Sequence, residues 1–365
     1  MALNTLPNEG LTNRGYPSDR IVTPIIINGD MSVAQRATSV TGVTSGTYKT
    51  IDRFRIMISS AGTWTLTQST TVPTGQGFNN SFKYDCTTAD ASLGSSDILG
   101  LSQKIEGFNQ AAVKKGTANA EKTTLAFWVR SNKTGTYICE LYDDQNTRQV
   151  SKSYTINSAN TWEKKVIVFP ADTVGANDFD NTQAMQVNWW LAMGSDYTSG
   201  TLSETWTAAT SANRAVGQVN LADSTDNEWY CTGVQLEVGE FDSTSIPSFP
   251  FESFDSNLQK CLRYYYRRLS IDAYGPLAQG MQIGASDMMI QGYHPLPMRS
   301  SPSIAIGGSW TYEAGTGSGT YSIGSSRRNK YAWASQTSIS NNDGSAAIIY
   351  ASNDDDAYFE AEAEL

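Results

Sequence analysis

The sequence predicts an all-β protein: a jelly-roll β-sandwich, then one linking α-helix and a second, smaller β-domain. Three observations lead to this class. Only 17% of residues are charged, and 30 glycines accompany abundant Thr, Ser and Asn, a composition typical of short strands separated by turns. Apolar and polar residues alternate over many short segments, which is the period of a strand. A clear helical period occurs at one place, near residue 260.

Residues 1–24 form the first predicted segment. They are polar and contain Pro7, Gly10, Gly15 and Pro17, with too little apolar surface to build a core. We expect a docking arm that becomes ordered against a partner subunit. Terminal disorder is the alternative.

The jelly-roll domain is predicted over residues 25–256. Its strands are expected at 25–29, 53–58, 64–68 after an Ala-Gly turn, 82–86, 99–108, 124–129, 137–142, 165–169, 188–193 and 234–238. The segment 124–129 is apolar on both faces and should be central in its sheet. About nine or ten strands over roughly 220 residues fit a two-sheet jelly roll.

A closing strand, a proline corner and the linking helix are expected to follow one another. The closing strand is predicted to be half-buried, with one face formed by Tyr230, Val234, Leu236 and Val238. Pro247 and Pro250 exclude a helix from the corner that follows. Beyond the expected N-cap Ser256, apolar residues recur at helical spacing, which predicts a helix over residues 257–270 that packs one face against the next domain.

Residues 271–365 are predicted to form the small C-terminal β-domain. Short alternating pieces occur at 281–283, 288–290, 303–306, 320–323 and 346–350. In the acidic tail, Glu360, Glu362 and Glu364 alternate with apolar residues. This pattern predicts a last edge strand whose charges face water.

Charge and hydropathy limit the classes of partner. The net charge is -10 and the pI is about 4.7, and basic residues do not cluster outside the predicted helix, so nucleic acid is not an expected partner. The sequence contains no run of 18 apolar residues and no signal-peptide pattern, so membrane insertion is not expected.

The four cysteines are predicted to be buried thiols. They lie far apart, inside predicted strands or the helix, without metal-binding spacing, at Cys86, Cys139, Cys231 and Cys261. A disulfide between two of them is the alternative.

No catalytic constellation is recognisable in the sequence. The single histidine, His294, lies in a Gly- and Pro-rich loop with no nucleophile motif nearby. We therefore predict that the protein is not an enzyme and needs no cofactor. Glycoside hydrolysis requires only two carboxylates, which any acidic chain contains, so a polysaccharide depolymerase remains an alternative.

One acidic loop has the residue types of a calcium site. Asp172, Asp178 and Asp180 lie close together with asparagines, and Ca²⁺ prefers oxygen ligands of this kind. Their spacing is irregular and does not match an EF-hand, so a solvated loop is the alternative to a structural Ca²⁺ site.

Three tryptophans are candidates for glycan binding. Trp162, Trp206 and Trp229 lie beside polar, loop-like sequence, and sugar rings stack on exposed aromatic faces. Packing in the core or at its rim is the alternative for all three.

Several motifs, taken in order, resemble tailed-bacteriophage virion appendage proteins, meaning tail-fibre or head-fibre subunits with a carbohydrate-binding-module-like jelly roll. These motifs are Asn28-Gly-Asp-Met-Ser-Val-Ala-Gln-Arg36, Ile51-Asp-Arg-Phe54, Leu101-Ser-Gln-Lys-Ile-Glu106, Leu125-Ala-Phe-Trp-Val129, Thr232-Gly-Val-Gln-Leu-Glu-Val-Gly239, Pro250-Phe-Glu252, Cys261-Leu-Arg-Tyr-Tyr265 and Met298-Arg-Ser-Ser-Pro302. The resemblance covers about residues 25 to 305 and depends on the order and spacing of the motifs.

The resemblance implies a non-enzymatic structural protein located in the virion. It would be a fibre or appendage subunit, homotrimeric, bound to other virion proteins through its arm and engaging a host-surface glycan. The alternatives are a stand-alone glycan-binding adhesion module and a surface-polysaccharide depolymerase.

Overall fold

The computed structural model describes residues 24–270, 272–283, 287–315, 317–323, 325–338 and 346–365. The chain divides into two units. Unit 1 contains the described residues up to Ser32 together with Ser39–Lys49 and Phe54–Glu252, and unit 2 contains Val33–Thr38, Thr50–Arg53 and Ser253–Leu365. Two short pieces of the N-terminal half therefore belong to the C-terminal unit. The predicted arm lies outside the described residues, except for Pro24.

The described part of unit 1 contains eleven strands. They are β1 (Ser39–Ser45), β2 (Phe54–Ser69), β3 (Ser81–Thr88), β4 (Ile98–Glu106), β5 (Thr123–Ser131), β6 (Gly135–Asp143), β7 (Arg148–Ile156), β8 (Glu163–Phe169), β9 (Gln183–Met193), β10 (Thr207–Ala208) and β11 (Glu228–Val238). Their order is β10-β7-β6-β9-β4-β2-β3-β11-β5-β8, with β1 on β2. The helical segments are α1 (Ser195–Thr198) and 3-10 turns at Gly107–Val113, Ser211–Asn213 and Leu221–Asp223.

Strand β2 joins the two layers of the sandwich. Its first half, up to Ser60, pairs with β4, and its second half, from Thr63, pairs with β3. Ser60 (φ 57) and Gly62 (φ 77) have left-handed backbone angles at the junction, where an irregularity lets the strand bend. The predicted Ala-Gly turn is wrong, because the chain bends here without leaving the sheet.

Aromatic side chains from both layers meet in the core. Phe54 in β2 and Phe127 in β5 approach Trp189 in β9, with ring centroids 6.4 and 5.8 Å apart. One layer is β10-β7-β6-β9-β4-β2 and the other is β2-β3-β11-β5-β8. The prediction of a jelly-roll β-sandwich is thus confirmed.

Strand β11 is buried on both faces, so the prediction of a half-buried strand is wrong. It lies between β3 and β5, and irregular segments cover its second face. Gly29 O accepts the N–H of Val234 at 2.9 Å, and Gln235 Nε2 donates to Pro247 O at 2.9 Å. A Cβ on Gly29 would lie 2.1 Å from Val234 O, so only glycine allows this approach.

The segment 25–29, predicted as a strand, is instead irregular. Ile25, Ile26 and Ile27 are all buried, and Ile27 is held by Gln103, whose side-chain amide makes hydrogen bonds to its backbone N–H and C=O at 2.8 and 2.9 Å. A side chain thus replaces the neighbouring strand as the hydrogen-bond partner.

Helix α2 (Phe254–Leu262) begins with Ser253, whose Oγ accepts the N–H of Ser256 at 3.2 Å. The predicted helix over 257–270 is wrong beyond Leu262. Tyr265–Leu269 form strand β12, which pairs with β21 (Tyr358–Glu362). The run of tyrosines and arginines fits a helix face or a strand, and this pairing decides in favour of the strand.

The described residues of unit 2 form two sheets. Its other strands are β13 (Pro276–Gln282), β14 (Asp287–Tyr293), β15 (Ser303–Gly307), β16 (Trp310–Ala314), β17 (Gly317–Thr320), β18 (Ser325–Arg328), β19 (Ala332–Ser338) and β20 (Ala346–Ala351). The sheet orders are β17-β16-β20-β13-β14-β19-β18 and β12-β21-β15. Trp333 stacks on Phe359 with ring centroids 4.7 Å apart, which joins the two sheets in one core. The strand expected at 320–323 lies earlier, in β17.

The acidic strand β21 lies in the middle of its sheet, so the prediction of an exposed edge is wrong. It pairs with β12 on one side and with β15 on the other. Acidic residues in and just after this strand meet protein groups: Tyr265 Oη donates to Glu360 at 2.7 Å, and Glu364, two residues beyond β21, forms a buried ion pair with Arg53. The side chains of Glu364 and Arg53 are 3% and 1% exposed.

All four cysteines are free and buried, as predicted. Burial holds the pKa values of Cys139 and Cys231 well above the ordinary thiol value, which keeps both thiols protonated. Within the described ranges, no helix has the length and apolar character needed to cross a membrane.

Candidate functional site

The outer face of the β4–β9–β6 layer carries polar side chains. Side chains alternate between the two faces of a strand, so Ser102 in β4, Asn188 in β9 and Glu140 in β6 share the face opposite the core. The register makes these three residues direct neighbours. The next row along the strands consists of Lys104, Gln186 and Tyr142.

Arg214 reaches this face from the loop after β10. Its Nε and Nη2 donate to the two oxygens of the fully buried Glu140 at 2.8 and 2.7 Å, and Asn188 Nδ2 donates to the same carboxylate at 2.8 Å. The guanidinium carbon lies 4.9 Å from the ring centroids of Tyr142 and Trp190. Burial alone would lower the pKa of Arg214, but Glu140 raises it above its ordinary value, so the guanidinium remains protonated.

The chain between β9 and β11 covers one half of this face. Ser151 N donates to Ser203 O at 2.7 Å, and Gln149 Nε2 donates to Ser203 Oγ and Thr210 O at 3.0 and 3.1 Å. These bonds hold the covering chain on β7. Over the other half, four side chains are partly exposed: Arg55, Met57, Lys104 and Gln186.

We define the sheet-face site as Arg55, Lys104, Tyr142, Gln186 and Arg214. Tyr142 and Arg214 are also partly exposed, and Glu140 fixes Arg214 in place. Tyr142 is the register neighbour of Gln186, and its ring centroid lies 4.9 Å from the guanidinium carbon of Arg214. Such a ring can contact the apolar face of a sugar while neighbouring guanidinium and amide groups make hydrogen bonds to its hydroxyls. The arrangement therefore suits a polar, hydroxyl-rich ligand.

The three tryptophans predicted to bind glycan lie elsewhere. Trp229 is fully buried in β11, so its prediction as a binding residue is wrong. Trp162 packs edge-on against Tyr230 with ring centroids 6.1 Å apart. Trp206 is partly exposed, and its Nε1 donates to Pro170 O at 2.8 Å. None of the three belongs to the sheet-face site.

The predicted calcium ligands do not form a site. Asp180 Oδ1 accepts from its neighbour Thr182 at 2.7 Å, and Asp178 lies on the exposed side of the same loop. Asp172 is instead buried between two cations, Lys115 and Arg148. Within the part of the chain that the structure describes, no group of three or more acidic, histidine or cysteine side chains is arranged around a metal position.

The ammonium group of Lys115 occupies the centre of this cluster. Its Nζ lies 2.9 Å from Asp172 Oδ2, donates to Gly175 O at 2.7 Å and contacts Asp143. Arg148 donates to both oxygens of Asp172 at 2.8 and 2.9 Å. Burial raises the pKa of Asp172, but the hydrogen bonds from Arg148 and Lys115 lower it by more, so that the pKa is about 2. Protein cations thus neutralise the acidic groups.

The residues of the sheet-face site were not selected from the sequence. Glu140 and Tyr142 lie in the predicted strand 137–142, and Asn188 lies in the predicted strand 188–193. The available signal was the presence of polar residues in strands that are otherwise strongly apolar. That signal marks a polar face on each strand, but it does not say which strands are neighbours.

No protein-family model and no curated protein matches this chain. Among solved structures, it is similar to the enzymatically active domain of bacteriophage CBA120 tailspike protein 4, at 14% identity and a TM-score of 0.29 over 59% of this chain and 21% of that one. A family 11 carbohydrate-binding module from Clostridium thermocellum, in complex with a mixed-linked tetrasaccharide, matches at 11% identity and a TM-score of 0.26, over 58% and 94% of the two chains. The module TmCBM61, in complex with a galactotriose, matches at 12% identity and a TM-score of 0.28, over 59% of this chain and 97% of that one.

The chain spans about a fifth of the tailspike domain it matches. The TM-scores of all three matches lie below 0.5, so none of these similarities assigns a function.

Proposed function

We propose that this chain is a non-enzymatic phage virion protein, a fibre or appendage subunit, whose unit 1 binds a host-surface glycan at the sheet-face site. The observation that carries the binding part is the Tyr142–Arg214 pair beside the partly exposed Gln186. An aromatic ring and fixed hydrogen-bond donors on one face are the groups that recognise sugar rings and their hydroxyls.

Preorganisation supports this assignment. Both donating nitrogens of Arg214 are oriented by Glu140, and the guanidinium lies between two aromatic rings. A ligand therefore does not need to order this side chain on binding, which reduces the entropic cost of association.

A binding role without catalysis is supported by the state of the ionisable groups. Both oxygens of Glu140 accept hydrogen bonds from Arg214, so this carboxylate is already held in an ion pair inside the protein. His294 is 7% exposed, and burial lowers its pKa. Release of sugar from a bacterial surface polysaccharide by the purified protein would contradict this part of the proposal.

The virion location and the homotrimeric state are supported by the order of motifs shared with phage appendage proteins. Mass spectrometry of purified particles and light scattering of the purified chain test these two points. The protein should be present in the particle fraction and have the mass of a trimer. A monomer that is absent from the particles would refute the structural role and favour a stand-alone adhesion module.

Glycan binding is tested on an array of bacterial surface glycans with the full chain and three single-residue variants. Tyr142→Ala should weaken binding about two- to tenfold, since an aromatic contact contributes about 0.5–1.5 kcal/mol. Tyr293→Ala removes a tyrosine that is 73% exposed in unit 2 and should bind like the parent. Loss of binding in Trp206→Ala but not in Tyr142→Ala would place the ligand at Trp206 and refute the sheet-face site.

A further inference from the structure

The outer face of the larger sheet of unit 2 carries charge at its sides but not across its middle. Side chains alternate between the two faces of a strand, so the outer face is the one opposite the buried Met288, Ile290 and Ile349. The register places one outward residue from each of β16, β20, β13, β14, β19 and β18 in a single row: Glu313, Ile348, Gln279, Gln291, Ala334 and Arg327. Only the two ends of this row are charged.

The neighbouring row on the same face is largely apolar. It consists of Ala346 in β20, Met281 in β13, Met289 in β14 and Gln336 in β19. Met281 is 60% exposed, and Met289 is partly exposed. Methionine side chains are flexible and polarisable, so they adapt to an apolar surface placed against them. An uncharged centre that contains exposed methionine has the composition of a protein–protein interface.

The two charged residues of the first row have no partners within their own chain. Glu313 and Arg327 are both exposed, and neither side chain forms an ion pair or a hydrogen bond with the residues that the structure describes. Five strand spacings of about 4.8 Å separate them, which is about 24 Å, so they cannot pair with each other. Opposite charges at the two ends of one face can instead meet between two copies of that face.

Glu313 lies beside a groove in this face. The groove has a volume of about 490 Å³, and its lining includes Glu313, Gln279, Ala346 and Ile348. An arginine side chain can lay its methylene groups along apolar surface while its guanidinium group meets a carboxylate. Arg327 on the edge strand β18 offers such a side chain in every other copy of the chain.

We propose that this face, which we call the unit-2 outer face and define as the two rows above, is the contact between copies of this chain. Arg327 of one copy pairs with Glu313 of the next, and the apolar row is covered in the contact. Because acid and base lie in the same row, rotation about an axis parallel to the strands keeps them at the same height. The contact joins different ends of the face, so it can close a ring. The inference rests on the homotrimer of the proposed function, in which three such contacts close the ring.

The size of the face agrees with this role. Six spacings of about 4.8 Å make the sheet about 29 Å wide, and strands of seven residues, such as β13 and β19, are about 23 Å long. The area in plan is about 670 Å², and projecting side chains make the accessible area larger. A stable interface buries about 800 Å² per partner, so the face is of the required size.

Size-exclusion chromatography with light scattering on the full chain tests the contact with Met281→Glu. The parent should have the mass of a trimer. The variant should need at least about a hundredfold higher concentration to associate, because the contact would bury a carboxylate without a partner. Leu269→Glu is the matched control, since it places the same charge on a residue that is 51% exposed in β12, in the other sheet. It should associate like the parent.

A charge exchange tests the pairing itself. Glu313→Arg and Arg327→Glu should each weaken association at least about tenfold, because like charges would then meet. The double variant exchanges the two charges and should restore most of the association. Both residues are exposed, so these variants decide the matter if Met281→Glu does not fold.

The mass of the parent and the behaviour of the variants separate two questions. A parent trimer that neither Met281→Glu nor the charge reversals weaken would overturn this inference and leave the trimer of the proposed function intact. A parent that is monomeric at all concentrations would refute both. A parent dimer that Met281→Glu dissociates would refute the trimer and support the unit-2 outer face as the contact.

Discussion

Replacing Lys115 by methionine removes the central cation of a buried charge cluster that consists of Lys115, Asp143, Asp172 and Arg148. Methionine keeps most of the length and apolar volume of the lysine side chain. The side chains of Lys115, Asp143 and Asp172 are 3%, 0% and 2% exposed. The substitution therefore leaves carboxylates in a site where water cannot replace the lost ammonium group.

The magnitude follows from this burial. Removing one partner of a buried ion pair costs about 3–5 kcal/mol, because an uncompensated charge stays behind. Arg148 still pairs with Asp172, and Asn146 and Asn177 still donate to Asp143, which favours the lower end of that range. At about 2–4 °C per kcal/mol for a unit of this size, the melting temperature should fall by roughly 6–12 °C.

Differential scanning calorimetry measures this change, and Lys122→Met is the matched control. Lys122 pairs with Glu240 on the surface, with side chains 48% and 60% exposed, and such pairs contribute about 0–1 kcal/mol. The control should melt within about 4 °C of the parent. If Lys115→Met melts at the parent temperature, the ammonium group does not stabilise unit 1 and the description of the cluster is refuted.

Three further predictions concern other buried contacts. Burial raises the pKa of Asp52 to about 6, above its value in the unfolded chain. The protonated carboxyl therefore adds up to about 3 kcal/mol to the free energy of unfolding below pH 4, and this contribution is lost as the pH rises through 6. In hydrogen exchange of unit 2, Asp52→Asn should abolish this pH dependence, and an unchanged dependence would contradict the prediction. Glu364→Gln leaves the buried Arg53 without that carboxylate and should cost about 3–5 kcal/mol in urea unfolding; a loss below about 1 kcal/mol would show that the pair is not stabilising. Gly29→Ala forces Cβ against Val234 O and should cost about 1–3 kcal/mol, a prediction that parent-like urea unfolding would rule out.

The sandwich strands were predictable because their signal is local. Phe54, Ile56 and Ile58 alternate with partly exposed residues, and all three are buried. The burial of β11 on its second face was not predictable in this way. It results from contacts with Gly29 and Pro247. These residues lie outside β11, so the alternation of residues within the strand does not indicate them.

Helix and strand could not be separated by pattern alone after Leu262. Tyr265, Tyr266 and Leu269 satisfy a helical spacing, but the register pairs Tyr265 with Glu362 and Leu269 with Tyr358. The partner strand, Tyr358–Glu362, lies near the end of the sequence, far along the chain from the helix boundary. A window of local sequence therefore contains no information on that pairing.

The sheet-face site was missed for a related reason. Each strand shows its polar face in the sequence, but strand order brings Ser102, Asn188 and Glu140 together, and the loop after β10 adds Arg214. Tryptophan content was a poor guide, because large aromatic residues in a sandwich mostly fill the core, as Trp229 does.

The failures of the calcium and edge-strand predictions have one physical cause. Both assumed that clustered carboxylates require either a metal ion or water. In unit 1 the carboxylate of Asp172 meets Lys115 and Arg148, and in unit 2 that of Glu364 meets Arg53. The chain has 36 acidic and 26 basic residues, and part of its basic minority lies inside the units. A net charge of -10 therefore describes the surface better than it describes these two buried clusters, in which lysine and arginine side chains neutralise the carboxylates.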